Sequence, residues 1–487
     1  MKKNANHKLL QLILLFTCIL FFCLFVVIDK PVICVDSPSY ISMEVSREPL
    51  YPLFLAFFRL FLGDPACLMA AGLCQSIFWG IAIWYASLWI GKICTQDAKR
   101  QIMIQLFSIS IQLGVALLNR FAAKRGSMYS ECIMTESLAM PLYLLFSIWL
   151  WRCFMCHNRW DMLRVAISAY LLVSIRSQML IVLLLWGACT LFYHLILPKT
   201  RSLRLFCIHL LALCMVFLLV KVTDCGYNQI VRGKWMTHTG AGKGSFCTLF
   251  YATDEEDLSL FTDPVMTGLY QTLYEEASAR GVLYQSLPSD TDWLTRGEHF
   301  AESYDIIGFE IMMPVIRSYL ETQGITDVVE MNIEMDHLIS QITRRLLTRP
   351  KGILLQIYFI NIWKALVSSI ARVMPVVMWL CIPLYGVFLL LYCRLKIRGV
   401  DRPDSLIASP SQAPAPGMAA VNRDGFNVPA ICVLAEITLG GILINSFVVA
   451  AIIFPQPRYT IYGMGLFYTV LVILIYSHRF LPKGKNL

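Results

Sequence analysis

Charged residues are scarce in this sequence: Asp, Glu, Lys and Arg together make up 15% of its 487 residues. An ordinary soluble domain carries about 25% of these residue types. Hydrophobic residues make up 57% of the chain, which excludes an ordinary soluble fold. We therefore expect an all-α polytopic membrane protein.

Long polar stretches are also few, because apolar runs of membrane-spanning length recur along the chain. A bilayer core of about 30 Å is crossed by a helix of about 20 apolar residues. Ten runs approach that length, and the fifth is the shortest. The predicted spans are 9–28, 66–91, 101–118, 132–151, 162–175, 177–197, 203–222, 374–392, 428–454 and 459–476.

The first apolar run resembles a signal peptide, since Lys2, Lys3 and Lys8 precede it. No small-residue cleavage site follows the run, and Asp29, Lys30 and Pro31 come next. We therefore expect an uncleaved first helix with a cytoplasmic N-terminus.

Basic residues mark one set of the predicted loops, as the positive-inside rule requires of cytoplasmic loops. The inner loops and the C-terminal tail carry Lys92, Lys99, Arg100, Arg152, Arg159, Arg164, Lys199, Arg201, Arg204, Arg394, Lys396, Arg398, Arg479, Lys483 and Lys485. This pattern predicts cytoplasmic N- and C-termini, and the short charged N-terminus without organelle signals fits a bacterial inner membrane. The formal charge of +9 is then a topology signal, and no basic and aromatic cluster indicates nucleic-acid binding.

The ten spans divide the chain into three parts. Residues 1–222 are predicted to form an N-terminal transmembrane catalytic module with an outer loop at 29–65. Residues 223–372 are expected to form a small, mostly helical extracytoplasmic domain. Residues 373–487 hold the last spans and a cytoplasmic linker, 394–427, whose Pro, Ser, Ala and Gly content is typical of a flexible segment.

Two apolar segments are predicted to lie at the outer surface without crossing the membrane. Leu50–Leu62 is too short to span and has the composition of an interfacial helix. The segment 353–370 contains Asn361 and Lys364, and a span there would break the inside-positive pattern. Both segments are therefore assigned to the outer face.

The seventeen cysteines do not indicate a disulfide scaffold, because most lie inside apolar runs, where a thiol acts as a small hydrophobe. Cys225 and Cys247 are the exceptions. Both fall in the outer region, so pairing between them is left open.

The first outer loop carries the most informative polar pattern. Asp36 and Tyr40 lie just after the first span, and Arg47 and Tyr51 follow among prolines that hold the backbone in turns. A carboxylate here can act as a base only if other groups keep it ionised and aimed.

A second set of charges is expected on the same face. It comprises Lys124, Arg125, Glu131, Glu136, Arg176 and the pair Arg458 and Tyr459. Charges at a membrane boundary are costly and tend to pair or to serve a site. Cations from separate segments on one face fit an anionic lipid headgroup such as a phosphate. Interfacial snorkelling is the alternative for Lys124 and Arg125.

Three further signals carry less weight. The glycine-rich Gly240–Ser245 stretch lacks the Walker spacing, so we expect a flexible loop there, or a lid over a nearby lipid phosphate. His238, His299 and His337 show no metal-ligand spacing, so no metal site is predicted. Glu436 lies inside a span, where we expect a structural ion pair with Arg176 or Lys221.

The order of these motifs resembles a known family. The chain has an Asp with a Tyr four residues on (36–40), Arg-x-Pro-x-Tyr-Pro before an apolar helix ending in Phe-Leu-Gly (47–63), Thr-Glu-Ser-Leu (135–138) and a final outer Arg-Tyr (458–459). This set is similar to the glycosyltransferase-C superfamily, nearest to glycosyltransferase family 39, the protein O-mannosyltransferase-like enzymes and their bacterial relatives that modify lipid A and other envelope glycans. The resemblance covers the membrane portion, mostly its first two hundred residues.

The resemblance implies an inverting enzyme that moves a sugar from a polyprenyl-phosphate donor to an envelope glycan, lipid or protein. Asp36 would be the general base, and Arg458, with Arg176 or Arg47, would stabilise the departing phosphate. Glu136 would orient a cation or hold the acceptor. The remaining supporting and lipid-binding candidates are Tyr40, Tyr51, Lys124, Arg125 and Tyr459.

The resemblance leaves cofactors and competing functions open. Some members of the family carry a second acidic residue where this chain has Ser37, so a divalent metal is left open and the cofactor is unknown. A transporter or flippase of lipid-linked envelope precursors would also bind an anionic headgroup, but it predicts charges near the bilayer midplane. A polysaccharide polymerase or ligase would differ only in the size of its acceptor.

Overall fold

The computed structural model describes residues 2–64, 66–122, 126–156, 158–197, 200–371, 377–400 and 425–480. Within these ranges the regular elements are helical, and β-pairing is limited to two isolated bridges. The helices are α1 (Lys2–Asp29), α2 (Ser37–Ile41), α3 (Leu50–Leu62), α4 (Ala66–Cys94), α5 (Ala98–Ala122), α6 (Glu136–Cys156), α7 (Arg159–Ile175), α8 (Leu180–Leu191), α9 (Leu203–Arg232), α10 (Lys243–Tyr251), α11 (Pro264–Ala279), α12 (Trp293–Asp305), α13 (Met313–Thr322), α14 (Val328–Leu346), α15 (Gly352–Ile370), α16 (Cys381–Val400), α17 (Val428–Ile452), α18 (Pro457–Thr460) and α19 (Met464–Phe480).

The expected fold class is confirmed: the chain is an all-α, multi-pass membrane protein. Ten helical segments of the described ranges are long and apolar enough to cross a membrane. They are Asn6–Asp29, Ala66–Cys94, Ala98–Phe121, Glu136–Cys156, Ser177–Ile196, Leu203–Arg232, Gly352–Ile370, Val377–Ile397, Val428–Ile452 and Pro457–Arg479.

The predicted spans differ from these ten at two places. The fifth predicted span corresponds to α7, which has only 17 residues and is not among the ten. Conversely, α15 qualifies although we expected it outside the membrane. Its polar Asn361 and Lys364 are buried against the protein, so apart from Gln356 near its start the exposed surface of the helix is mostly apolar. Counting charges along the sequence does not show which face those two side chains take.

The contacts of α15 show how far it enters the bundle. Its last turns meet the first turns of the helices that follow: Thr460 donates to the Ser368 hydroxyl at 2.8 Å, and Tyr468 donates to the carbonyl of Ile370. Tyr385, near the start of α16, donates to the carbonyl of Leu366 at 3.1 Å. The helix therefore ends where α16 and α19 begin.

Close helix packing in the bundle depends on Gly80. A Cβ at this position of α4 would lie 2.6 Å from the Cα of Ile19 in α1. No side chain larger than hydrogen fits there without moving one of the two helices.

Residues 233–351, which we call the cap, have a hydrophobic core separate from that of the bundle. Phe246, Phe250, Tyr270 and Phe300 are fully buried in it. The predicted boundary at 222 falls inside α9, which continues to Arg232. The predicted linker, 394–427, overlaps the end of α16, and residues 401–424 lie outside the described ranges.

The two ends of the bundle carry different polar groups. At one end, Glu436 pairs with Lys396 at 2.8 Å and also accepts hydrogen bonds from Tyr193 and Tyr392. The predicted pairing of Glu436 with Arg176 or Lys221 was wrong. The other end, which we call the site end, holds loop 30–49, turn 126–135 and α18, and the cap contacts it.

Candidate active site

Loop 30–49 is fixed to the segment before α6 by short backbone pairing. The amide of Val32 donates to Glu131 O at 2.9 Å, and the amide of Ile133 donates to Val32 O at 3.0 Å. The Ser37 hydroxyl donates to Ile133 O at 2.7 Å. The two segments that carry Asp36 and Glu136 are therefore held as one unit.

Asp36 lies between two guanidinium groups. Its Oδ1 accepts from Arg47 at 2.8 Å, and its Oδ2 accepts from Arg458 at 2.7 Å. Burial alone would raise the pKa of Asp36, but the charges of Arg47 and Arg458 outweigh it and hold this pKa below its usual range. Asp36 is therefore ionised at neutral pH and fixed in direction.

Arg47 is itself held by the short helix α2. Its Nε donates to the Ser39 hydroxyl at 2.7 Å, and its Nη1 donates to the Tyr40 hydroxyl at 3.3 Å. The guanidinium also lies 4.6 Å from the centre of the Tyr40 ring, within cation–π range. Tyr40 thus supports Arg47, and its ring packs edge-on against Tyr51 at 5.2 Å.

A second ion pair lies beside the first. Glu136, 1% exposed, pairs with Arg176, which also donates to the Thr135 hydroxyl at 3.2 Å. The ring of Tyr459 lies 5.0 Å from the guanidinium of Arg176 and 4.8 Å from that of Arg458. Arg458 also donates to the Tyr459 hydroxyl at 2.7 Å. One tyrosine therefore links the two pairs.

Not every predicted site residue reaches this group. Tyr51 is fully buried behind Tyr40, and its hydroxyl donates to Gln75 and accepts from Ser137 inside the bundle. Glu131 pairs with Arg120, which also binds Asp29, so it belongs to a separate cluster. Lys124 and Arg125 lie outside the described residues.

The cap adds two charged residues that sequence reasoning missed, Lys243 and Asp305. Burial lowers the pKa of Lys243 to about 8, although Asp305 and Asp36 are close enough to act against this shift. The pKa of Asp305 is raised by desolvation, against the charges of Lys243 and Arg458. The Gly240–Ser245 stretch was the available signal, but we interpreted it as a flexible loop or a lid and assigned no role to Lys243.

The described part of the chain contains neither a disulfide bond nor a cluster of metal ligands. Cys225 and Cys247 are both free thiols. No group of three His, Cys, Asp or Glu side chains able to hold a metal comes together in the described residues. Both oxygens of Asp36 accept from arginines, so this carboxylate does not suit a metal ligand as it stands.

A cavity of about 540 Å³ opens elsewhere, between α12 and α15. Its walls are Thr291, Trp293, Arg296, Gln356, Phe359, Ile360 and Trp363. None of the ion-paired residues described above lines it. The charged cluster at the site end therefore remains the better candidate for chemistry, because Arg296 is the one charged side chain among the described residues of the cavity wall, and no carboxylate there could act as an acid or base.

Comparison with known proteins returned no match: no family model, no curated protein and no solved structure is similar to this chain. The function must therefore be argued from the site itself.

Proposed function

We propose that this chain is a membrane glycosyltransferase that transfers a sugar from a polyprenyl-phosphate donor to an acceptor at the site end. The observation that carries the proposal is the position of Asp36 between Arg47 and Arg458, beside the Glu136–Arg176 pair. An ionised carboxylate and three arginines at the end of an apolar bundle suit a substrate with a lipid tail, a phosphate and a hydroxylated headgroup.

Arg458 has bonding capacity left for the phosphate. Its Nη1 and Nη2 bind Asp36 and Tyr459, whereas its Nε is buried and has no hydrogen-bond partner in the described part of the chain. A buried donor without a partner is costly, so a ligand oxygen that accepts from it gains a strong interaction.

The proposed reaction is a single inverting displacement. The acceptor hydroxyl gives its proton to Asp36 as its oxygen bonds to the anomeric carbon. The bond from that carbon to the phosphate oxygen breaks, and its electron pair leaves with the polyprenyl phosphate. Arg458 and Arg176 stabilise the added negative charge, a role worth several kcal/mol in preorganised sites, about 3–4 for a single donor.

The proposal includes a location. Basic loops lie at the end opposite the site, so the site end would face the extracytoplasmic side of a bacterial inner membrane, with both termini in the cytoplasm. Polyprenyl-linked sugars presented on that side would enter between the bundle and the cap.

The test is transfer of radiolabelled sugar from synthetic polyprenyl-phosphate sugars to membrane extract by the purified protein. We compare the wild type with Asp36→Asn and with Glu44→Gln, an exposed carboxylate of the same loop. The proposal expects transfer by the wild type and by Glu44→Gln, and a loss of at least about 100-fold in Asp36→Asn, the scale of a lost general base.

Other outcomes reject parts of the proposal. Full activity in Asp36→Asn would remove the base assignment. Saturable binding of the donor without transfer, together with movement of the lipid across vesicles, would replace the enzyme by a transporter or flippase.

A further inference from the structure

The glycine-rich stretch before α10 places a lysine beside the ion pairs. The amide of Thr239 donates to Val45 O at 3.0 Å, which ties this stretch to the loop that carries Asp36 and Arg47. Gly244 lies against the end of α17, since a Cβ there would be 2.9 Å from Ile452. Lys243 therefore begins α10 between loop 30–49 and the turn that holds Arg458.

The lysine side chain rests on a surface shaped to receive it. A Cβ on Gly308 would lie 2.6 Å from Cε of Lys243, so a larger residue there would force the end of the lysine chain to move. Gly308 lies in a π-helical turn, Ile306–Met312, directly after Asp305. Such turns are rare and occur often at functional sites.

The lysine amine has no fixed counterion among the described residues. Its Nζ lies over the Phe309 ring and 4.0 Å from Met313 Sδ, and Lys243 forms no ion pair within that part of the chain. Asp305 is the carboxylate that influences the pKa of Lys243 most, but the two side chains form no ion pair among the described residues. A half-buried ammonium held short of its counterion remains available to an anion.

We propose that Lys243 is a fourth cation of the site and binds a phosphoryl oxygen of the lipid-linked donor from the cap side, while Arg458 binds from the bundle side. This inference rests on the proposed function. It assigns the cap a share in donor binding, so that a bound donor joins the cap to the bundle.

The neighbours of Lys243 set its pH response. Asp305 on α12, Asp36 and Arg47 on loop 30–49 and Cys247 on α10 face it. The pKa of Cys247 is raised to about 12 by burial, so this thiol stays neutral. Asp36 and Arg47 keep their charges through the alkaline range. A phosphate monoester loses its second proton near pH 6 and is fully charged above about pH 7.5. A change in its affinity above that pH therefore reports the loss of the proton from Lys243.

The experiment measures binding of polyprenyl monophosphate to the purified full-length protein, with the uncharged polyprenol as the reference. The variants are Lys243→Met, Lys243→Arg and Lys234→Met, the last an exposed lysine of the same cap stretch. We expect Lys243→Met to lose about tenfold or more in affinity, the scale of one charge-assisted hydrogen bond, and Lys234→Met to bind as the wild type does.

Titration adds a second readout. Wild-type affinity should fall as pH rises through about 8, whereas Lys243→Arg should bind evenly from about pH 7.5 to 9.5 because arginine stays charged. Inorganic phosphate at equal concentration should not compete, since it lacks the lipid. Equal competition would identify free phosphate as the ligand and reject the lipid assignment.

The two proposals fail in different ways. If the wild type prefers polyprenyl phosphate to polyprenol and Lys243→Met binds equally well, the role of Lys243 is rejected while the proposed function stands. If the wild type binds both lipids alike, the proposed donor class is rejected and the role of Lys243 with it.

Discussion

Arg458 donates a hydrogen bond of 2.7 Å to Asp36 across 422 positions of sequence. This contact joins the turn before the last helix to the loop after the first, and it does so through a charged pair that is only partly exposed. The same carboxylate accepts from Arg47 at 2.8 Å. The charge of Asp36 is therefore balanced by residues from distant segments, so that replacing one of these residues should alter the position of the others.

Arg176→Met should destabilise the protein strongly, because it leaves the carboxylate of Glu136 buried without a counterion. Removing one partner of a buried pair costs about 3–5 kcal/mol. The double variant Arg176→Met with Glu136→Gln should recover much of that stability, since no buried charge remains. Thermal unfolding in detergent measures both.

The matched control is Arg59→Met, which breaks an exposed pair with Asp64. Exposed pairs contribute about 0–1 kcal/mol, so the melting temperature should barely change. Equal losses in Arg59→Met and Arg176→Met would show that burial does not set the strength of these pairs.

Gly308→Ala should weaken binding of polyprenyl phosphate, because the new Cβ would displace Lys243. The comparison is Gly268→Ala in α11, where a Cβ meets open space and alanine should stabilise the helix by about 0.5–1 kcal/mol. Titration of the lipid phosphate into both variants checks this. Unchanged affinity in Gly308→Ala would mean that the lysine chain is free to bind from elsewhere.

The cap stretch should loosen from Asp224 of α9 as pH rises, and the contact of Thr239, the next residue, with loop 30–49 should loosen with it. Burial would lower the pKa of His238, but its hydrogen bond to Asp224 at 2.7 Å outweighs this and raises the pKa. A raised histidine pKa stabilises the folded contact below about pH 6.5, the ordinary value, and that stability is lost as pH rises through the folded pKa.

Amide exchange of Thr239 and Gly240, corrected for intrinsic rates, should therefore be faster at about pH 9 than at about pH 6. His238→Ala should exchange fast at both, whereas His337→Ala, a change at an exposed site, should follow the wild type. If the corrected exchange rates of the wild type do not depend on pH, the contact between His238 and Asp224 does not hold the cap stretch in place.

Gly80→Ala should lower the melting temperature, because its Cβ would meet the backbone of Ile19 at 2.6 Å. Gly114→Ala, in α5, meets nothing within 4 Å and should leave the melting temperature equal or slightly higher. A Gly80→Ala protein as stable as the wild type would mean that α1 can shift on α4 at little cost.

Several features of the site follow from the sequence, whereas others do not. Asp36, Glu136, Arg176 and Arg458 are placed on one face by counting spans, and the fold brings them together. Their pairing is not predictable from the sequence. Lys243 escapes sequence reasoning because its side chain packs against Gly308, and the two residues lie in different helices.

The sequence by itself determined the membrane class, most of the helices long enough to span a membrane and the segments that hold the charged residues. Those are properties of short stretches, since about 20 apolar residues span a bilayer whatever surrounds them. Tertiary structure alone decided that α15 buries Asn361 and Lys364, that Glu436 pairs with Lys396, and that Asp36 lies between Arg47 and Arg458. Electrostatic pairing acts over a few ångströms, so partners from remote segments are chosen only when helix packing brings them within that range.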